Sequence, residues 1–220
     1  MATKVMTFYG TSIGKKVVMA VTGFIVFGFV TVHMLGNLQV FSGPEKLNAY
    51  AHFLKSVPAF LWTFRGLILI SAVLHILAAT QLTLQSWSAR PQGYAVQRYR
   101  ETTYAARTVR WGGPIIGLFL VYHILHFTTG QVHPSFSDNV YNNVVTGFAV
   151  WWVSVFYIVA VAFVGLHLYH GVWSMFQTVG LNHPKWNVWP RVFAVAFSLA
   201  VFAGMVSVPI AALAGLVRPV

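Results

Sequence analysis

The amino-acid sequence predicts an all-α integral membrane protein, with five transmembrane helices and a single domain over residues 1–220. The chain is 57% hydrophobic and only 8% charged, whereas a soluble domain carries about 25% charged residues. Its apolar residues fall into five runs, each long enough for a helix that crosses a bilayer. Each of the first four runs contains a histidine, and a histidine at membrane depth is costly unless its ring bonds to something.

The first half of the chain contains two predicted spans, residues 17–40 and 59–87. The first is too long for the apolar part of a signal peptide and lacks a small-residue cleavage site, so we expect no cleavable leader. The sequence Ser42-Gly-Pro-Glu-Lys ends this span, because glycine and proline interrupt helices. Residues 45–57 are predicted to form a short interfacial helix that ends before Pro58.

The second half contains the other three predicted spans, residues 112–130, 147–176 and 191–216. The fourth span has no Asp, Glu, Lys or Arg, which favours a membrane helix over a helix in a soluble core. The fifth span has no histidine. Seven tryptophans lie near predicted span ends, as an interfacial aromatic belt requires: Trp62, Trp87, Trp111, Trp151, Trp152, Trp186 and Trp189.

Positive charge is divided unequally between the two sides of the predicted bundle. Cytoplasmic loops of membrane proteins carry the excess of Lys and Arg. The chain is therefore predicted to lie in the cell inner (plasma) membrane with its N-terminus cytoplasmic and its C-terminus outside. The richer side has Lys4, Lys15, Lys16, Arg90, Arg98, Arg100, Arg107, Arg110, Lys185 and Arg191, and Glu101 lies among the loop arginines. The other side has Lys46, Lys55 and Arg218, and Arg65 lies within a span near its start.

Composition also excludes several functions. The chain has no cysteine, which excludes disulfides, thiolate metal sites and iron–sulfur clusters held by this chain alone. The formal charge of +11 does not indicate nucleic-acid binding, because the basic residues lie in loops beside apolar runs. That placement favours membrane lipid headgroups, an acidic protein partner or the carboxylates of a cofactor.

Four of the histidines are predicted to form two pairs at different depths. Along helices that rise about 1.5 Å per residue, His33 and His123 lie roughly 25 Å and 16 Å from the cytoplasmic ends of their spans. His75 and His167, on spans that run inward, lie about 24 Å and 30 Å from the outer ends. These positions predict an outer pair, His33 with His123, and an inner pair, His75 with His167.

Two histidines on facing helices at one depth suit a six-coordinate b-type haem, because each neutral imidazole supplies one nitrogen to the iron. Two such pairs predict two haem b groups and an electron path across the bilayer. The loop arginines are candidates for contacts with haem propionates. Five glycines are predicted to provide positions of close approach: Gly28, Gly36, Gly117, Gly165 and Gly171.

Spacing alone leaves other interpretations open. His126 and His170 lie three residues after His123 and His167, on nearly the same helix faces, so spacing does not choose between the members of each pair. Any of these rings could also be a hydrogen-bonded core residue. The two His-x-x-His pairs would suit a tetra-imidazole zinc or copper site in a metal transporter, although that function leaves the histidines of the first two spans unexplained.

Several stretches of the chain carry a resemblance to one family. They are Gly171-Val-Trp-Ser-Met-Phe-Gln-Thr-Val-Gly180-Leu with His167 four residues before it, Val32-His33-Met-Leu-Gly-Asn37, Ala51-His52-Phe-Leu-Lys-Ser-Val-Pro58, the second-span His75, and the opening Ser12-Ile-Gly-Lys-Lys16. Together they resemble the di-haem cytochrome b membrane subunits of succinate:quinone oxidoreductases and fumarate reductases, in the single-chain, five-helix form. The resemblance covers nearly the whole chain.

The resemblance implies four axial haem ligands: His33, His75, His123 and His167. It selects His167 over His170 and His123 over His126, and it pairs the first helix with the third and the second with the fourth. It also implies a flavoprotein subunit with covalent FAD and an iron–sulfur subunit on the cytoplasmic face, where succinate would be oxidised outside this chain.

The expected function is therefore the membrane subunit of a succinate dehydrogenase, respiratory complex II, which passes electrons through two haems to menaquinone or ubiquinone. The cytochrome b anchor of another respiratory dehydrogenase, such as hydrogenase or formate dehydrogenase, is an alternative that would place the histidine ligands on other helices.

Four residues near the outer ends of the first two spans are candidates for a quinone site, and a site on the cytoplasmic side is equally open. They are Tyr50, His52, Trp62 and Arg65.

One position departs from the family pattern. Some fumarate reductases of this family have a glutamate two residues before the fourth-span ligand, linked to transmembrane proton transfer. This chain has Gly165 there, and no predicted span contains Asp or Glu. The sequence therefore argues against a proton path through carboxylates.

Overall fold

The computed structural model describes residues 8–90, 92, 102–181, 183 and 185–220. Four residues that contributed to the predicted charge distribution lie outside this part of the chain: Lys4, Arg98, Arg100 and Glu101. The described residues form seven α-helices and two short 3-10 turns. The helices are α1 (Ser12–Asn37), α2 (Pro44–Ser56), α3 (Pro58–Ser88), α4 (Tyr104–Phe127), α5 (Val140–Ala149), α6 (Trp151–Thr178) and α7 (Val188–Leu213).

Five of these helices, α1, α3, α4, α6 and α7, are long and apolar enough to cross a membrane. With the turn that follows α1, the five candidate spans have between 24 and 31 residues, and a hydrocarbon core of about 30 Å needs about 20 residues of helix. Many large apolar side chains on these helices point away from the bundle, among them Leu69, Leu118 and Leu199. The predicted all-α fold with five spans is confirmed, and it fits a multi-pass membrane protein.

The short interfacial helix predicted before Pro58 is also present, as α2. It begins at Pro44, where a missing amide proton is harmless because the first helical N–H groups have no partner within the helix. Gly43 precedes it with a φ of +99°, a conformation that glycine adopts without steric cost. The chain can therefore turn sharply between the end of α1 and the start of α2.

The predicted start of the third span is wrong. The helix begins at Tyr104, eight residues before the predicted start at residue 112, and it ends at Phe127. Thr103 caps it, since its hydroxyl oxygen accepts a hydrogen bond from the Ala106 amide at 3.2 Å. Charged residues in the first turns had suggested a loop, but a helix end that reaches the headgroup region can carry arginines.

The predicted start of the fourth span is wrong as well. The predicted span began at residue 147, but residues 147–149 are the end of the short helix α5. The long helix α6 begins at Trp151. Val150 between them has extended backbone angles (φ −78°, ψ 109°). The Ser154 hydroxyl donates a hydrogen bond of 2.6 Å to the Phe148 carbonyl, which satisfies an oxygen that the break in the helix leaves without a backbone partner.

Side-chain contacts show that consecutive spans run in opposite directions. Near one end of the bundle, Arg110 on α4 donates to the Ser86 hydroxyl on α3 at 3.3 Å. Phe176 on α6 contacts Phe193 on α7 with ring centroids 5.9 Å apart. This end, which we call the basic end, contains the described basic residues of the predicted cytoplasmic side: Lys15, Lys16, Arg90, Arg107, Arg110, Lys185 and Arg191.

The buried apolar core lies towards the opposite end, which we call the α2–α5 end. There α2 and α5 pack near the ends of the long helices, and residues such as Val40, Leu47, Val145 and Val208 are almost fully buried. The C-terminus is fixed at the same end, because the Asn142 side chain exchanges two hydrogen bonds with the Val220 backbone, at 2.8 Å and 3.0 Å.

In the described part of the chain, several pairs of spans do not pack closely on each other, and two of those pairs carry the predicted histidine pairs. Helix α6 packs on α4, α7 and α1, and α3 packs on α1. Within the described chain, α3 does not pack closely on α6, nor α1 on α4. The two predicted histidine pairs lie between these separated helices.

Candidate functional site: two histidine pairs

The four histidines predicted as site residues meet in two pairs. The rings of His33 on α1 and His123 on α4 have centroids 5.7 Å apart and planes at 87°. The rings of His75 on α3 and His167 on α6 have centroids 6.1 Å apart and planes at 66°. The structure therefore brings together the pairs that depth along the spans had predicted.

The revised helix starts also bring the members of each pair to one depth. His33 is the twenty-first residue after Ser12 and His123 the nineteenth after Tyr104, which are rises of about 32 Å and 28 Å. The sequence estimate had left these two about 9 Å apart in depth, because it started the third span too late.

The depths of His75 and His167 also agree when they are measured from the observed helix starts. His75 is the seventeenth residue after Pro58, and His167 is the sixteenth after Trp151. The corresponding rises are about 26 Å and 24 Å. The earlier estimate for His167 was longer because it counted residues of α5 as part of the span.

The two pairs lie at clearly separate levels. His75 contacts Thr22 on α1, and His33 lies eleven residues further along that helix, about 16 Å away. On α6, Tyr157 contacts His123, and His167 lies ten residues further on, about 15 Å away. Two helices thus give the same separation between the pairs.

Each pair spans a gap between helices whose backbones do not approach closely. All four rings are half-buried, neither packed into a continuous core nor fully exposed. At Gly28, Gly117 and Gly171, a methyl group in place of the hydrogen would meet no atom of the other described helices within 4 Å. These glycines leave open space along the bundle.

The other two glycines from the sequence prediction lie against side chains instead. A Cβ at Gly36 would lie 2.9 Å from the ring of Tyr50, and a Cβ at Gly165 would lie 3.6 Å from the Cβ of Phe202. Gly36 therefore allows α2 to approach α1, and Gly165 allows α7 to approach α6. The close approach predicted for all five glycines is thus observed at these two positions, where the neighbour is a side chain of another helix.

In the inner pair, α1 holds the ring of His75. Its Nδ1 lies 3.1 Å from the Met19 carbonyl oxygen and 3.3 Å from the Thr22 hydroxyl oxygen. A carbonyl oxygen only accepts hydrogen bonds, so Nδ1 carries the proton and donates it. The lone pair of the neutral ring is then on Nε2, the nitrogen left for a metal or another donor.

His167 has the opposite surroundings. Its Nδ1 is buried and has no hydrogen-bond partner among the described residues. Buried polar atoms in proteins are nearly always paired, but His126 Nε2 is also unpaired within the described residues, so this feature alone does not identify a ligand. His170, one turn away, makes no ring contact with His75 in the described structure, and the pair therefore selects His167.

In the outer pair, the hydroxyl of Tyr157 on α6 contacts His123. It lies 3.3 Å from His123 Nδ1 and 3.1 Å from His126 Nδ1. A hydroxyl donates one hydrogen bond and accepts others, so Tyr157 donates to one imidazole and accepts from the other. This contact fixes the His123 ring and leaves its Nε2 free.

His126 belongs to the core rather than to the outer pair. Its side chain is fully buried, and its ring stacks on that of His133 with centroids 4.9 Å apart. His133 donates from Nε2 to the Asn143 carbonyl at 2.8 Å. The structure thus separates His123, which faces His33, from His126, which packs between α4, α6 and the loop before α5.

His33 has a polar neighbour on its own helix. The Asn37 amide group donates to the His33 carbonyl at 2.8 Å and lies 3.2 Å from His33 Nε2. A metal can bind His33 Nε2 only if the Asn37 amide moves away from the ring. The hydrogen bond from Asn37 to the His33 carbonyl can remain.

The side chains that hold these rings were not among the predicted site residues. Thr22 and Tyr157 are polar residues within apolar spans, and that property was the available signal. Helix periodicity does not show which neighbouring helix such a residue faces. Met19 contributes through its backbone carbonyl, for which a sequence carries no signal.

Among the described residues, no group of three or more His, Cys, Asp or Glu side chains is arranged to hold a metal ion. This result argues against the tetra-imidazole site considered for His123, His126, His167 and His170. A haem iron needs only two protein ligands, so the same finding does not bear on the bis-histidine hypothesis.

The pairs have dimensions that fit haem ligation. A metal–imidazole bond is about 2 Å long, so two rings on opposite sides of one metal have centroids roughly 6 Å apart. The two observed distances, 5.7 Å and 6.1 Å, agree with that value. The Nε2 atoms of His75 and His123 make no hydrogen bond among the described residues, which also fits the donor set.

The four candidates for a quinone site do not form one site. His52 lines a cleft of about 510 Å³ at the α2–α5 end, with Asn48, Lys55 and Asp138 in its wall. Tyr50 packs on α1 instead. The remaining two candidates contact each other, since the Arg65 guanidinium lies 5.1 Å from the Trp62 ring centroid.

Comparisons with known proteins gave no relative. No protein-family model, no curated protein and no solved structure matches the chain.

Proposed function

We propose that the chain is a di-haem cytochrome b membrane subunit of a succinate:quinone oxidoreductase. The observation that supports this proposal best is the meeting of four histidines in two pairs, at two levels about 15 Å apart along the helices. A single pair would suit a structural contact between helices. Two pairs with matching dimensions, each across a gap between spans, suit two cofactors of the same kind.

The residues of this chain would hold the two haems at fixed depths. His75 and His167 are the ligands of the inner site, and His33 and His123 those of the outer site. Haem b bound at both levels would supply one-electron carriers between the two sides of the bilayer. Met19 and Thr22 orient the neutral His75 imidazole so that its Nε2 is available to the metal, and Tyr157 holds the Nδ1 side of His123.

The basic end is the proposed docking face for the soluble subunits. Seven described Lys and Arg residues lie at this end, six of them exposed and Lys15 buried, and an acidic surface of an iron–sulfur subunit would complement the exposed ones. That subunit and a flavoprotein would oxidise succinate on the cytoplasmic side, so this chain carries no succinate site. The N-terminus is then cytoplasmic and the C-terminus outside.

Menaquinone or ubiquinone would exchange electrons with this subunit. The cleft beside His52 offers hydrogen-bond donors to a quinone carbonyl, at the end of the bundle nearer to the outer pair. A site at the basic end, beside the iron–sulfur subunit, is the alternative position.

Haem content of the purified chain tests the proposal. A reduced-minus-oxidised spectrum with pyridine haemochrome quantification should give about two haem b groups per chain. Substitution of either outer histidine, His33→Ala or His123→Ala, should remove one spectral component. His75→Ala and His167→Ala should both remove the other, and the core variants His126→Ala and His170→Ala should keep both.

Other results would contradict the proposal. Loss of the same haem from His33→Ala and His75→Ala would reject the two-level arrangement. Absence of haem from the wild-type chain would reject the cytochrome function. A dehydrogenase other than succinate dehydrogenase would be identified by the soluble subunits that co-purify with the intact complex.

A further inference from the structure

Helix α1 supplies a ligand to the outer pair and contacts the inner pair through different residues. Thr22 and His33 are eleven residues apart on α1. At about 100° per residue, this spacing returns to nearly the same helix face after three turns. One face of α1 therefore reaches both levels, although its own histidine belongs to the outer level only.

The hydrogen bond between Thr22 and His75 has a defined donor and a defined acceptor. The Thr22 side chain is 5% exposed, and its hydroxyl donates to the Val18 carbonyl of the preceding turn at 2.7 Å. With its single proton used there, the hydroxyl oxygen can only accept a hydrogen bond from His75 Nδ1 at 3.3 Å. The Met19 carbonyl accepts from the same nitrogen at 3.1 Å.

Gly23 gives the imidazole its space. A Cβ at this position would lie 3.3 Å from His75 Cε1 and 3.5 Å from Nδ1. The first distance is tighter than an ordinary van der Waals contact, so an added methyl group would displace the ring or separate α1 from α3. Met19 and Thr22, which hold the ring, and Gly23, which admits it, lie close together on α1.

We infer that Thr22, the Met19 carbonyl and Gly23 are positioning elements for His75, holding it as the Nδ1–H tautomer with Nε2 directed away from α1. The inference rests on the proposed function, because it assigns these residues to the inner haem site. It predicts that changes on α1 alter the inner haem selectively, although α1 provides no ligand to it.

The test compares Thr22→Val with Thr31→Val on the same helix. Thr31 also donates to the carbonyl of the preceding turn, to Phe27 at 2.9 Å, and within the described residues its side chain makes no hydrogen bond to a histidine. Thr22→Val should keep two haems per chain but shift the midpoint potential and the low-spin ferric EPR signal of one of them. Thr22→Ser should restore both properties, and Thr31→Val should match the wild type.

A glycine pair tests the space beside the ring. Gly23→Ala should reduce occupancy of the inner haem, assigned as the component that His75→Ala removes. Gly66→Ala is the control, because Gly66 lies nine residues before His75 on the opposite face of α3, and a Cβ there would meet no atom within 4 Å. Equal effects of Thr22→Val and Thr31→Val, or an unchanged inner haem in Gly23→Ala, would overturn the inference.

A second readout needs no haem. In nitrogen-15 histidine spectra of the wild-type apoprotein, the signal that disappears in His75→Gln should show a protonated Nδ1 and an unprotonated Nε2. A protonated Nε2 would overturn the positioning inference. Absence of haem from the wild type would reject the proposed function, and the tautomer would still decide the arrangement on α1.

Discussion

The hydroxyl of Tyr157 lies 3.1 Å from Nδ1 of His126, joining two side chains that are buried inside the bundle on different helices. The same oxygen lies 3.3 Å from His123 Nδ1. One tyrosine thus links a candidate ligand of the outer pair to a histidine of the core. Polar groups inside a membrane protein must find partners within the protein, because the surrounding hydrocarbon offers none.

Tyr157→Phe should destabilise the protein. The substitution leaves Nδ1 of the fully buried His126 without a partner, and an unpaired buried polar group costs about 1–3 kcal/mol. A loss of 1 kcal/mol lowers the melting temperature of a chain of this size by about 2–4 °C. Thermal unfolding in detergent measures the effect.

Tyr122→Phe is the matched control for that variant and has the opposite expected sign. The Tyr122 hydroxyl is buried and has no partner within the described residues, so its removal takes away an unsatisfied group. The melting temperature should stay the same or rise slightly. A larger loss in Tyr122→Phe than in Tyr157→Phe would contradict the hydrogen-bond assignment.

Gly147→Ala should also destabilise the protein, by about 1–3 kcal/mol for overpacking. A Cβ at Gly147 would lie 2.9 Å from His133 Nε2, 3.0 Å from His126 Cε1 and 3.0 Å from Phe127 Cε1. Three rings would have to move, and the His133 bond to Asn143 would be strained. Gly113→Ala, where a Cβ meets nothing within 4 Å, should unfold at the wild-type temperature or above it.

Asn37→Ala should leave haem content unchanged. The Asn37 amide lies beside His33 Nε2, so its removal frees that nitrogen for a metal and takes away no ligand. The haemochrome assay should therefore give the same two haems per chain as the wild type. Loss of the outer haem in this variant, as in His33→Ala, would show that Asn37 is required for binding.

His52→Ala should raise the KM for quinone if the cleft at the α2–α5 end is the quinone site. The substitution removes an imidazole from the cleft wall and lies on a helix that contains no candidate haem ligand. The haem spectrum should therefore stay unchanged. Lys46→Ala on the same helix, outside the cleft, is the control, and equal KM values for the two variants would favour a site at the basic end.

Charge reversal at the basic end should weaken binding of the soluble subunits. Lys16 and Lys185 are exposed there, and Lys16→Glu with Lys185→Glu changes the charge of the docking face by four units. The complex should dissociate at lower salt during purification, since such contacts are screened by ions. Lys46→Glu, at the opposite end, should behave as the wild type, and retention of the subunits by the double variant would refute docking at this face.

Local sequence patterns were enough to identify the membrane class, the number of candidate spans and the two depths at which the span histidines lie. Hydrophobic run length and the absence of charge are local properties, and a rise of about 1.5 Å per residue converts sequence position into depth. His33, His75, His123 and His167 could therefore be sorted by depth before any contact was known. The start of α4 lies eight residues before the predicted start, because arginines in the first turns of a helix resemble a loop in the sequence.

Tertiary structure alone decided which side chains surround each histidine. His123 and His126 are three residues apart and have similar local sequence, yet one faces His33 and the other is enclosed by Tyr157 and His133. That difference depends on how α4 is rotated against α6 and where the chain breaks at Val150. Packing between helices sets such rotations, and they cannot be read from the hydrophobic period of a single helix.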